Sequence, residues 1–367
     1  MKRVLLLLCI LSLFLVSCAE KPPTPEPPDT DVIAPVLQPE TPKPEPKPEP
    51  EPEPEIDEPV LTATSSLTGL PCTPEQARIR PVAVVLNNHN IALPQVSVGD
   101  ADIVWEWNAE GGVTRLVGVY SDISRVGEIG AVRSARDYFL DVAHIHSAIL
   151  VHAGGSSYFY DRDIASGYDT VDEITMHELP SGTFWRDPDK RYSRGYEHSL
   201  ETSGEKLFEA FKSLGYKTEL DEPKPTFEFY GETTVPDGDT AETVTINHSA
   251  YITPRFTYKD GNYYKESYGE PHIDEATGET IAFENLVILF TKQRVVDEYL
   301  RLDITFTGEG SGILVTAGKS VNINWSRENE DALLVLKNTD GTAVKLNPGK
   351  THITVFDANY KNGITIE

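Results

Sequence analysis

Apolar and polar positions change rhythm three times along the chain. An unbroken apolar run extends from Val4 to Val16, and from about Ala19 to Pro59 proline alternates with Glu, Lys or Thr in a stretch that cannot bury a core. From about residue 61 to 222 strand and helix periods mix. "RPVAVVLNN" (80–88) is a short apolar run bounded by polar residues and Pro81, which predicts a buried strand. "DIVWEWNAEGGVTRLVGVYS" (102–121) reads as a hairpin around Gly111-Gly112. Tyr138, Phe139, Val142 and Ile145 fall at helical spacing behind Ser134-x-x-Asp137, so the spacing predicts a helix from Ser134 to about His146. "SAILVHAGG" (147–155) predicts a second buried strand. Thr202-x-x-Glu205 opens a helix that Gly215 stops, with Leu207, Phe208, Phe211 and Leu214 facing inward.

Beyond "DEPKPT" (221–226) the period becomes two. "TFEFY", "TVTINHS", "RFTYKDGNYYKES", "NLVILFT" and "LDITFTG" alternate, with Asp260-Gly261 and Asp340-Gly341 as hairpin signals and "GEGSG" (308–312) read as a turn between strands. The predicted class is α+β: a mixed α/β N-terminal domain followed by a predominantly antiparallel β C-terminal domain. The predicted segments are 1–17 (signal), 18–60 (spacer), 61–222 (mixed α/β) and 223–367 (β-rich).

Composition narrows the setting. With 58 acidic against 32 basic side chains and a formal charge of −26, the surface repels a phosphate backbone, so nucleic acid is not an expected partner. Lys2 and Arg3 ahead of the Val4–Val16 run form an export signal, too short to span a bilayer. Leu15-Val16-Ser17-Cys18 then follows the pattern of a bacterial lipoprotein box, which makes Cys18 the acylated first residue of an extracytoplasmic protein lipid-anchored to the cell membrane. Of the three cysteines, Cys9 leaves with the signal and Cys18 takes the lipid. Cys72 alone remains, so no intramolecular disulfide is expected. In polyproline II the spacer reaches up to roughly 100 Å from the membrane.

Candidate chemistry concentrates in the first half. A two-residue turn at Gly111-Gly112 places Glu110 opposite Val113, Asn108 opposite Arg115 and Glu106 opposite Val117. Trp105 and Trp107 then share one face, as core or as sugar platforms, and Glu106, Glu110 and Arg115 cluster on the other. That cluster serves as an acid/base pair for a glycosidic or ester bond, or as a solvated ion pair. Arg133, Ser134 and Arg136 at the predicted helix start form a receptor for carboxylate or phosphate, unless Asp137 neutralises an arginine internally. Asp137, Asp141 and His144 share a helix stripe and serve as a proton relay or face water. His152 precedes Gly154-Gly155-Ser156 at the carboxyl end of its strand, where ligands gather in open sheets, and His89 stands in the same relative position after its own strand; a structural role is the plainer reading of both. Tyr258, Tyr263, Tyr264 and Tyr268 form a candidate exposed aromatic patch. No His-Glu-x-x-His, paired Cys-x-x-Cys or nucleophile elbow is present, which leaves a site assembled from His89, His152 and Glu110 as the remaining metal option; neither metal nor cofactor is expected.

"SSLTGLPC", "RPVAVVLNNHNIALPQVSVGDADIVWEWNAEGGVTRLVGVYSD", "GEIGAVRSARDYFLDVAHIHSAILVHAGGS", "YKDGNYYKESYGEPHIDEATGETIAFENLVILF" and "LNPGKTHITVF" resemble, in wording and order, the YerB-like bacterial lipoproteins. The resemblance runs from about Ser65 to the end. It implies a YerB-like mixed α/β fold, two adjoining domains of unknown function and an extracytoplasmic lipoprotein, and supplies no catalytic residue. The leading expectation is a membrane-tethered protein that binds an anionic or glycan component of the envelope. One alternative is a cell-wall polymer hydrolase or transferase using Glu106 or Glu110 with His152 or Asp137. Another is an adaptor for a second envelope protein.

Overall fold

Every residue of Val82–Asn87 (β1) is buried, the mark of a strand covered on both faces. This computed structural model describes residues 60–367; the export signal, Cys18 and nearly all of the spacer lie outside the described residues. Around β1 stand Ile103–Asn108 (β2), Thr114–Tyr120 (β3), Ile149–His152 (β4) and Thr170–Asp172 (β5). Asn285–Val295 (β9), Gly308–Thr316 (β10), Lys319–Arg327 (β11) and Thr351–Asp357 (β12) come from the second half of the sequence. The strand labels β6, β7 and β8 belong to Thr243–Ile246, Arg255–Lys259 and Asn262–Ser267.

One twelve-stranded sheet runs through both halves: its main path begins with the short strand Asp239–Thr240 and continues in the order β11-β10-β9-β12-β2-β3-β1-β4-β5. The junction is β12, which pairs parallel to β9 (Asn285↔Thr351 to Thr291↔Asp357) and parallel to β2 (Thr351↔Ile103 to Val355↔Trp107). The halves that the change of period separates at 222/223 therefore share a sheet, and the described residues form one compact unit.

Two apolar layers flank this sheet. On one face Ile103, Trp105, Trp107, Val117 and Ile353 meet Phe139, Leu140, Val142 and Ile145 of helix α1 (Phe139–His146) and Phe159 of α2 (Ser157–Ser166). On the other, Val104, Leu116 and Ile288 meet Leu207 and Phe211 of α3 (Gly204–Leu214) and Val244, Phe256 and Tyr263 of the six-stranded sheet containing β6–β8. Helices thus cover one face, and a helix and a second sheet the other, an α+β layering.

Several local expectations are corrected. Helix α1 begins at Phe139 rather than Ser134, with Tyr138 as an N-cap lacking a side-chain bond. The preceding residues are claimed by the sheet: Arg133 N–H donates to Val85 O, Ala135 N–H to Gly154 O, and Ala153 N–H to Arg133 O. Tertiary pairing wins over the local capping signal. Helix α3 is capped by Ser203 instead of Thr202 and stops at Gly215 as expected. "GEGSG" is the start of β10, where Gly310 makes room for the Trp325 ring on β11. The tyrosine patch does not form, because Tyr263 is buried and the Tyr268 hydroxyl donates to Asn88 O.

Because β12 is shared, truncating it should weaken both halves together. Ile353→Ala is expected to cost about 2–5 kcal/mol, with tryptophan fluorescence and far-UV circular dichroism following one coincident urea transition. Two separated transitions would contradict a shared sheet.

Candidate functional site

The hairpin connection decides which polar residues meet. Ala109 to Val113 bridge β2 and β3 through one 3₁₀ turn, Glu110–Gly112, with Gly111 and Gly112 at positive φ of 72° and 76°. Asn108 pairs with Thr114 and Trp107 with Arg115, one residue away from a two-residue turn. A one-residue slip exchanges faces. Arg115 therefore points to the tryptophan side, and Glu106 to the opposite side, so Glu106 and Glu110 do not form a pair and Arg115 does not sit between them.

On the tryptophan side a cluster of charges gathers around the hairpin tip. Glu110 accepts from Arg136 Nε and, at 2.8 Å, from Arg136 Nη2, with Arg115 Nη2 3.8 Å away. Arg115 Nη1 donates to Ser134 O at 2.7 Å, and Arg133 Nη2 reaches Glu197 at 2.5 Å. Burial and the neighbouring Arg136 and Arg133 guanidiniums push Arg115 down to about 9 against the pull of Glu110. It stays charged at neutral pH. Burial opposes ionisation of Glu110, but Arg136 and Arg115 hold its carboxyl below the ordinary value, a poor state for a general acid. Three guanidiniums thus share two carboxylates, and the partner of Arg133 is an exposed glutamate. The expected helix N-terminus is missing from this patch, since α1 starts beyond it and Ser134 offers its carbonyl rather than a cap.

Gly154 and Gly155 adjoin the arginine segment but are occupied by their own chain. Gly154 N–H donates to Asp172 at 2.6 Å, its carbonyl receives Ala135 N–H, and a Cβ at Gly155 would strike the Phe159 ring. His152 is fully buried under that ring, with Nδ1 3.0 Å from Gly154 O and 3.6 Å from Asp172. Burial pushes its imidazole below the ordinary value although Asp172 pulls the other way. His89 stands elsewhere: it caps a short turn through Ile91 N–H and its ring lies 5.5 Å from that of His198. The two histidines do not converge. Burial raises Asp137, whose carbonyl accepts from Arg162; Asp141 is buried between Arg162 and Arg327, and His144 meets Tyr168 and Asp331 instead of a relay.

The opposite face holds a polar core that sequence reasoning missed. Glu106 lies 2.6 Å from Lys265 Nζ and 3.1 Å from His352 Nε2, and receives Thr114 Oγ1 at 2.7 Å and Asn88 Nδ2 at 3.1 Å. Burial opposes its charge, yet Lys265, the His352 bond and His248 hold it well below the usual carboxylate range. The alternation of β8 puts Lys265 between buried Tyr263 and Ser267, a lysine at a core position that a strict inward pattern would have exposed.

Beside the hairpin tip a groove of about 680 Å³ is lined by Gly111, Gly112, His248, Tyr251, Asn359 and Tyr360, among others. Tyr251 and Tyr360 are exposed. Among the described residues no group of three His, Cys, Asp or Glu is placed to hold a metal, and no helix is long and apolar enough to cross a membrane.

These features define an α+β protein of a family whose model matches twice: residues 67–217 fit the "Protein of unknown function (DUF3048) N-terminal domain" and residues 243–353 its C-terminal domain. The chain belongs to this family, as its resemblance to the YerB-like lipoproteins implied. It is 30% identical over 298 residues, 79% of this chain and 85% of the other, to "Putative lipoprotein YerB" of Bacillus subtilis (strain 168). The crystal structure of YerB protein from Bacillus subtilis matches at a TM-score of 0.72 and 27% identity, over 83% of this chain and 99% of that one.

The buried imidazoles give the molecule a pH signature. Burial holds His146 and His272 down to about 3 and His248 and His352 down to about 4, against 6.5 for a free histidine. Below about pH 6.5 the unfolded chain takes up protons that the native state refuses, so stability falls as pH drops toward 4, by about 1.4 kcal/mol per pH unit for each such histidine. Urea midpoints measured between pH 7 and 4.5 should decline accordingly; an unchanged midpoint would refute the neutral assignment.

Proposed function

We propose that the chain is a lipid-anchored, extracytoplasmic protein that binds an anionic glycan polymer of the cell envelope at the tip of the β2–β3 hairpin. The observation that carries this reading is the sharing of two carboxylates by Arg115, Arg133 and Arg136, a local positive excess on a chain of formal charge −26. Guanidinium forks suit carboxylate and phosphate groups, and Glu197 is an exposed partner that such a group can displace. The adjoining groove supports the glycan half of the reading, since tyrosine rings and side-chain amides are the groups that stack on and hydrogen-bond sugars. Export and acylation at Cys18 would place the site outside the cytoplasm, with the proline-rich segment as its spacer. A hydrolase reading is less well supported, because the two carboxylates it would pair lie on opposite faces of the sheet.

Titration of residues 60–367 with peptidoglycan and teichoic-acid fragments should reveal binding that weakens with added salt. Arg133→Ala and Arg136→Ala should each lower affinity by about ten-fold, the loss of one charge-assisted hydrogen bond. Equal binding by the unaltered and altered proteins, or none by either, would rule out this site. New fragments released from the polymer would favour the hydrolase instead.

A further inference from the structure

Glu106 touches an amine and a carboxamide at once. Its Oε2 meets Lys265 Nζ at 2.6 Å, while its Oε1 accepts from Asn88 Nδ2 at 3.1 Å. Asn88 Oδ1 in turn receives Gln95 Nε2 at 3.3 Å. All four side chains are at most 1% exposed, and Phe256 lies 5.7 Å from the lysine nitrogen. A buried lysine–glutamate pair is weak as a stabiliser, because apolar residues of similar volume serve as well or better. This one also gathers an amine and a carboxamide on the two oxygens of a single carboxylate, with a donor on the carboxamide oxygen.

We propose that Lys265 and Asn88 are joined by an intramolecular isopeptide bond, formed by the protein itself with Glu106 as the proton carrier. Glu106 transiently takes a proton from the Lys265 ammonium, against the resting preference of the pair for its charged form, and so frees the amine. The free amine attacks Asn88 Cγ, forming the C–N bond and moving the carbonyl electron pair onto Oδ1, where Gln95 Nε2 already donates. Glu106 gives its proton to Nδ2 and receives one from Nζ. The Cγ–Nδ2 bond then breaks with its electron pair on nitrogen, ammonia leaves, and the proton remaining on Glu106 departs with it as ammonium. A lysine ammonium and a carboxamide become a secondary amide and an ammonium ion, with no oxidant and no cofactor. The bond ties a residue of the first sequence half to one of the second, in a protein whose Cys72 is a free thiol.

Proteolysis of the purified full chain followed by mass spectrometry tests this directly. The peptide bearing Asn88 and the peptide bearing Lys265 should appear as one branched species, lighter than their sum by one ammonia. Glu106→Gln and Lys265→Met should yield two linear peptides. Asn88→Asp should restore the branch with the loss of one water instead of one ammonia, a readout that packing alone cannot produce. Linear peptides of full mass from the unaltered chain overturn the proposal whether or not any variant folds, and a branch that survives Glu106→Gln overturns the role given to Glu106.

Discussion

The parallel pairing of β12 on both of its edges is the constraint on which the rest of the molecule depends. Seven residue pairs hold it to β9 and five to β2. Without it the hairpin β2–β3 would present an open edge, and the strands of the second half would lack their neighbour. Its side chains serve both layers as well: Ile353 and Val355 face the tryptophans and helix α1, while Phe356 and His352 face the second sheet. The site regions inherit this arrangement, since β2 carries Glu106 on one face and leads into Glu110 at its tip.

The two faces of β2 treat charge in opposite ways. Toward the tip, Arg115, Arg136 and Glu110 are largely buried together, while the Arg133–Glu197 pair keeps contact with solvent and can exchange partners at small cost. Under the second sheet, Glu106 and Lys265 have lost their water, and hydrogen bonds from Thr114, Asn88 and His352 replace it. Such a network is specific in geometry because every lost partner exposes a buried charge. The hairpin turn sets this division: one extra residue in the connection moved Arg115 to the tryptophan side and left Glu106 to the lysine.

Much of the fold was legible in the sequence, and the reasons are local. The apolar runs of β1 and β4, the Gly215 stop and the Asp260-Gly261 turn report chemistry that acts within a few residues. The start of α1 was not legible, because Val132 to Ala135 are drawn into bridges with β1 and the Gly154-Gly155 loop. Arg115, Arg133, Arg136 and Glu110 were readable as a charged group, whereas Glu197 lies far along the chain and nothing in the pattern marks it as their counter-charge. Lys265 offered one faint sign: it alternates in phase with Tyr263 and Ser267, so an inward lysine demands a buried anion from somewhere else.

The place of β12 also governs the order of events when the chain is made. Its partner strand β2 emerges some 250 residues earlier, with Thr351 aligned to Ile103, and must wait beside an unfilled gap until β12 arrives. Contacts of such long sequence separation form late and slowly. A polypeptide wired in this way stays open until residues 351–357 have been made, and becomes a closed object only when that strand slides between the two parts already laid down.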